Sequence, residues 1–166
     1  MADIVSRETR SRMMSGIRGK DTEPELMVRK CLHAAGYRYR LHERSLPGKP
    51  DIVLPRYRAV IFVHGCFWHG HKCQLFKWPS THRDFWKKKI EGNCRKDAEN
   101  RSAIAGAGWR IMTIWECALK GRGRLSFGTI IAEVSRWLES ASPAGEIAGM
   151  DISKHQEDTY QSILKE

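Results

Sequence analysis

From residue 60 to residue 73 the chain reads Val-Ile-Phe-Val-His-Gly-Cys-Phe-Trp-His-Gly-His-Lys-Cys, with three histidines and two cysteines inside ten positions. Imidazole and thiolate are ligands for transition metals, and a Cys3His set is a common closed structural zinc site. Cys66, His71 and Cys73 offer three ligands, and Cys117, at the end of a later apolar segment, offers a fourth. The spacing is not that of a zinc finger, and the competing reading makes these cysteines small buried hydrophobes. The interleaved histidines favour the metal. Cys31 and Cys94, the remaining two of five cysteines, fall in helical segments and are expected to be buried. An odd number of cysteines argues against a disulfide framework.

Asp51 is the second point of chemical interest. It follows Leu46-Pro-Gly-Lys-Pro50 and opens the apolar run Ile52-Val-Leu54, so a strand would anchor its carboxylate. Alone, a carboxylate in this position is an ordinary turn residue. The next apolar run, Ala59–Val63, returns beside it and delivers Val63 and His64, with His69 close behind. An acidic metal ligand, a backbone carbonyl and a histidine base would then converge. That set suits phosphodiester hydrolysis, with Mg2+ offsetting phosphate charge while a base activates water. Glu25 has two readings: it is the capping-box partner of Thr22, or a carboxylate beside the metal that holds a bound water.

Phe67 and Trp68 lie among polar ligand candidates, where core packing is not the default. Trp86 is flanked by Arg83, Lys87, Lys88 and Lys89. Aromatic rings surrounded by cations suit base stacking beside phosphate contacts. For Trp86 a place in the core is the equal alternative.

These residues need elements to position them. Thr22-Glu-Pro-Glu25 opens a helix whose apolar side would be Leu26, Met27, Cys31, Leu32 and Ala35, ended by Gly36. Tyr37–His42 reads as a short strand, followed by the hairpin of strands 51–54 and 59–63 around Pro55–Arg58. The second strand is apolar throughout, as a strand covered on both faces should be. Thr81, with Asp84 three residues on, starts a long basic helix to about Ala105. Trp109–Trp115 is a third apolar strand and Ser126–Ser140 an amphipathic helix. The order predicts one α/β (α+β mixed) domain, a mixed sheet flanked by helices. Residues 1–20 read as a basic arm that orders on binding and 21–140 as the domain. Residues 141–166 read as a loosely ordered tail with one short helix near 153–164.

Composition bounds the partners. The 166 residues carry a net charge of +10. Residues 1–125 hold 26 Lys and Arg against 12 Asp and Glu, and residues 126–166 hold 3 against 7. A basic body with a mildly acidic tail is the footprint of a polyanion binder. The charged N-terminus does not read as a signal peptide, and no apolar run is long enough for a membrane span, so a cytosolic protein with reduced thiols is expected.

The segments Leu46–Asp51, Val60–His69, His71-Lys-Cys73, Phe85-Trp86, Gly108-Trp109 and Trp115-Glu-Cys117-Ala-Leu, together with Thr9-Arg-Ser11, make the chain resemble the very-short-patch-repair (Vsr) mismatch endonucleases. The similarity runs from near the start to about residue 140. It implies a restriction-endonuclease-like fold without the usual E-x-K pair on the second strand. It also implies a strand-specific endonuclease that nicks 5′ of the thymine in T:G mismatches left by 5-methylcytosine deamination. By the resemblance, Asp51 binds catalytic Mg2+ with the backbone carbonyl of Val63, His69 is the general base, and Glu25 assists through metal-bound water. His64 lies near the site. Cys66, His71, Cys73 and Cys117 match structural Zn2+ ligands. Phe67, Trp68 and Trp86 match side chains that wedge into the duplex from the major groove, and Met14 an arm residue that enters from the other groove. The expected partners are double-stranded DNA with a T:G mismatch and other repair proteins, for a monomer acting in the cytoplasm on the nucleoid.

Two departures stand out. Val63 replaces a frequent threonine, and Gly70 and Lys72 thin a run that can be richer in histidine. Two rival readings remain at this point, a same-fold nuclease or nickase without mismatch preference and a non-catalytic zinc module that binds nucleic acid.

Overall fold

The computed structural model describes residues 6–15 and 19–151. Within them run α1 (Arg7–Ser15), α2 (Glu23–Ala34), β1 (Arg40–Leu41), β2 (Ile52–Leu54), β3 (Ala59–His64), α3 (Arg83–Gly106), β4 (Arg110–Trp115), α4 (Glu116–Leu119), α5 (Phe127–Glu139) and β5 (Ala144–Ile147). The strands form one mixed sheet in the order β1-β2-β3-β4-β5. The β1–β2 and β2–β3 pairs are antiparallel, and the β3–β4 and β4–β5 pairs parallel.

The apolar runs produce this sheet directly. β2 and β3 fold back through a 3-10 turn at Pro55–Tyr57, closed by Arg58 in the left-handed region, φ 46°. They pair in the register Ile52↔Ile61 and Leu54↔Ala59. Ile61, Val63, Met112 and Ile114 pack with Val28 and Leu32 of α2 and with Ile130 and Val134 of α5. Val60, Phe62 and Ile111 turn the other way, toward Ile104 of α3. β3 is thus covered on both sides, which is why its sequence does not alternate. His64 and Trp115, register partners at the ends of β3 and β4, continue the α3-facing row beyond the core.

Several expectations change. The first strand is shorter than Tyr37–His42, only Arg40–Leu41 being paired. α2 buries Glu25, Val28, Arg29 and Leu32 rather than the side carrying Leu26, Met27 and Ala35. The periodicity is masked because two of the four inward positions are an ion pair, Arg29 Nη2 to Glu25 Oε2 at 3.0 Å. α3 is capped by His82 at φ 52°, with no side-chain bond from Thr81. The segment expected to be loose from 141 onward supplies β5, which pairs with β4 from Ile111↔Ala144 to Ile114↔Ile147. The short helix expected near 153–164 lies outside the described residues. Residues 7–15 of the arm are helical, and the described side chains of α1 are exposed. No helix among the described residues is long and apolar enough to cross a membrane.

Candidate active site and metal centre

β3 outruns β2. Beyond the Ile52↔Ile61 pair, where β2 begins, the backbone of β3 continues through Phe62 to His64, and the residue just before β2 is Asp51. Its Oδ2 accepts the Val63 amide N–H at 2.7 Å, fixing the carboxylate in the wall of a cleft of ≈ 910 Å³. Glu25, Val63, His64, Phe67, Trp68 and His69 line the same cleft, so most of the residues singled out from the sequence meet in one place. Desolvation raises Asp51 to about 7, aided by the neighbouring Glu25 charge and opposed by the Val63 N–H.

Glu25 is held by several donors. Its Oε2 accepts the Asp21 N–H at 2.9 Å and Arg29, and its Oε1 accepts the Thr22 hydroxyl at 3.2 Å. Arg29 also bonds Asp21 at 2.7 Å. The cap is therefore real, yet the 3% exposed carboxylate still borders the cleft. In this fold the two readings of Glu25 share one position, with Oε1 the less occupied oxygen.

His69 stands on the loop after β3 and faces a residue that the sequence reading missed. Its Nδ1 lies 2.5 Å from Asp97 Oδ2 on α3. An aspartate there fixes the tautomer with hydrogen on Nδ1 and leaves Nε2 with a bare lone pair. His64 stacks on His69 with ring centroids 3.8 Å apart and planes within 2°. Burial and the adjacent His69 lower His64 to about 3, so this ring is neutral at physiological pH. His64, His69 and Asp97 are close enough to be taken for a metal triad. Parallel stacked rings, however, keep their in-plane lone pairs in two separate parallel planes, so both cannot point at one ion. The arrangement suits proton transfer better than chelation. Asp97 was legible only as one member of a polar helix stripe with Asn93, Asn100 and Arg101, all of which line the cleft.

Beside this site, Cys66, His71, Cys73 and Cys117 bring their ligand atoms within 4.8 Å of one another. His71 Nδ1 is 3.6 Å from both Cys66 Sγ and Cys117 Sγ. Tetrahedral zinc, with Zn–S of about 2.3 Å and Zn–N of about 2.1 Å, requires a sulfur–nitrogen edge of about 3.6 Å. The sulfurs also accept backbone N–H groups, Leu75 to Cys73 at 3.4 Å, Cys117 to Cys66 at 3.3 Å and Gly149 to Cys117 at 3.2 Å, the outer contacts that favour thiolate. The hydrogen bond between the Cys66 and Cys117 side chains raises the Cys66 thiol, aided by burial, and holds Cys117 down to about 5. This cluster fits a metal ion. The other two cysteines correct the expectation of burial, Cys31 being half-buried and Cys94 exposed on α3.

The loop between these sites is pressed onto α3. Gly70 adopts φ +62°, and a Cβ there would lie 2.9 Å from Ile90 Cγ2, which accounts for glycine in a histidine-rich run. Asn93 Nδ2 donates to Trp68 O at 2.8 Å. Trp86 does not itself line the cleft but packs edge-on against Phe67 and Trp68, at 5.4 and 5.9 Å. Met14 lies exposed on α1, away from the cleft lining.

The family model described as DNA mismatch endonuclease Vsr matches residues 2–75. The Escherichia coli DNA mismatch endonuclease Vsr is 40% identical over 154 residues, covering 92% of this chain and 99% of the relative. The chain belongs to the Vsr family. The type II nicking enzyme V.XorIIP of Xanthomonas oryzae is 48% identical over 125 residues, 75% of this chain and 92% of the relative. V.NmeAIP, a type II nicking enzyme of Neisseria meningitidis, is 43% identical over 122 residues, 74% of this chain and 87% of the relative. As a Vsr member the chain is a DNA endonuclease with a restriction-endonuclease-like mixed sheet, and the reading as a non-catalytic zinc module falls away.

Proposed function

We propose that this Vsr-family enzyme nicks one strand of duplex DNA 5′ of the thymine in a T:G mismatch, starting short-patch repair of deaminated 5-methylcytosine. The observation that carries the reading is the convergence of Asp51 with the His69–Asp97 pair in one cleft. Asp51 and the Val63 carbonyl would hold Mg2+, and Cys66, His71, Cys73 and Cys117 would hold structural Zn2+. Bound Mg2+ supplies charge neutralisation at the phosphate and the departing oxygen. His69 Nε2 takes a proton from the attacking water, and Asp97 steadies the imidazolium that results. His64, neutral and stacked beneath, adds no competing charge. Glu25 orients water through Oε1. Phe67, Trp68 and Trp86 wedge into the helix from one groove and Met14 from the other, at a pair that unstacks more cheaply than a matched one. The domain acts as a monomer on nucleoid DNA in the cytoplasm, with residues 1–20 as its DNA-contacting arm and with other repair proteins as partners.

A second reading, a nickase without mismatch preference, is favoured by the relatives named as type II nicking enzymes. The separating experiment is Mg2+-dependent cutting of labelled duplexes that differ only in T:G or T:A at one methyltransferase-type site. Selective cutting of the T strand at T:G is expected. Equal cutting of both duplexes would leave a nuclease and remove the repair role.

A further inference from the structure

Large exposed apolar side chains on the described surface include Trp78 and Phe85, 44% and 60% exposed. A lone exposed hydrophobe is ordinary, but a contiguous patch marks an interaction surface. These two sit at opposite ends of one chain of rings. Trp78 meets Phe76 at 5.0 Å, Phe76 stacks on Phe67 at 6.1 Å, Phe67 meets Trp86 at 5.4 Å, and Trp86 meets Phe85 at 5.2 Å. The middle of the ridge is half-buried and its ends are the most open.

Charge identifies what the ridge faces. Between residues 72 and 90 lie Lys72, Lys77, Arg83, Lys87, Lys88 and Lys89, all exposed, against the single acid Asp84. An apolar peptide would have no use for six cations, whereas nucleic acid offers flat bases beside phosphates. Four ring contacts of 5.0 to 6.1 Å link Trp78 to Phe85, with Phe76, Phe67 and Trp86 between them, so the two exposed rings flank the central ones.

We propose that Trp78 and Phe85 contact the nucleotides flanking the mismatch, making the ends of the ridge determinants of flanking-sequence preference. This rests on the reading that Phe67, Trp68 and Trp86 engage the mismatched pair.

The test uses the full chain with T:G and T:A duplexes whose flanking pairs are varied, measuring Kd by fluorescence anisotropy. Trp78→Ala and Phe85→Ala are each expected to raise Kd about tenfold on both duplex types and to narrow the spread among flanking sequences. Trp78→Phe should recover most of the affinity. Phe127→Ala, which removes an exposed ring outside the ridge, should leave Kd within about twofold, the usual reach of a neutral surface change. A Kd within twofold of the parent for both alanine variants, or an unchanged spread among flanking pairs, overturns the role of the two rings. Loss of the T:G preference in the parent enzyme would overturn the proposed function instead, and the two failures are read from separate columns of the same titration.

Discussion

Burial of the Asp51 carboxyl beside Glu25 raises it to about 7, against one compensating N–H from Val63. In the unfolded chain the same proton leaves near pH 4, so between about 4 and about 7 the metal-free native state binds the extra proton. Its stability therefore falls as pH climbs through that window and is flat above it. In the proposed function the ionised form is the metal ligand, so Mg2+ affinity should rise over the same range, about tenfold per pH unit below 7. Thermal melts at pH 4 to 8 should show this fall without Mg2+ and a nearly flat profile with saturating Mg2+, because the rising affinity cancels it, and Asp51→Asn should abolish the difference along with nicking. Asp97 governs a different step. Asp97→Asn can present an N–H to His69 Nδ1 and favour the wrong tautomer, for which a fall of about 10²- to 10⁴-fold in single-turnover nicking is expected. DNA affinity and melting temperature should stay near the parent values. A loss below tenfold would remove His69 as the base.

Elements act by carrying these residues to one another. The parallel register of β3 and β4 sets His64 beside Trp115, and the indole joins both centres. It stacks on His71 at 4.1 Å and 10°, meets His64 edge-on at 5.5 Å, and donates Nε1–H to Glu146 of β5. β5 and the segment just after it therefore support both the Cys/His cluster, through Gly149 N–H on Cys117, and the histidine stack, through Glu146. Glu146→Leu and Trp115→Phe should each lower the single-turnover rate about tenfold by loosening the stack. The double variant should be no slower than either, and Glu146→Gln, which keeps an acceptor, should restore the rate. Additive losses would mean that the two side chains act separately. α2 is the counterpart on the other side of the cleft, spending buried positions on Glu25 and Arg29 rather than on apolar packing.

For the molecule as a whole, the Cys66–His71–Cys73–Cys117 cluster fastens the long loop after β3 to α4 and to the segment after β5. That loop bears Phe67, Trp68 and His69. Chelation in the presence of thiol reductant should therefore lower the melting temperature by on the order of 10 °C and abolish nicking in the same step. One equivalent of Zn2+ per chain should restore both. Loss of metal without loss of activity would make the cluster incidental to the site. The ridge of rings and cations beside it places positive charge where a polyanion can meet the cleft.

Much of this was legible in the residues themselves. Val60–Val63 announces a strand buried on both faces because its apolar run is unbroken, and Thr22-Glu-Pro-Glu25 announces a helix start because the cap is local hydrogen bonding. The clustered Cys and His positions, with Asp51 before its strand, pointed to the two centres because their chemistry depends on residue type and short-range spacing. Tertiary structure alone decided the rest. Asp97 pairs with His69 across 28 positions, and only the packing of α3 over the loop brings them to 2.5 Å. β5 reads as tail because Ala144–Ile147 is short and partly polar, and it becomes a strand only when β4 offers an open edge. The inward face of α2 was hidden because an ion pair satisfies burial without obeying hydrophobic periodicity. Contacts of this kind depend on which surfaces meet, a property that no local stretch of sequence carries.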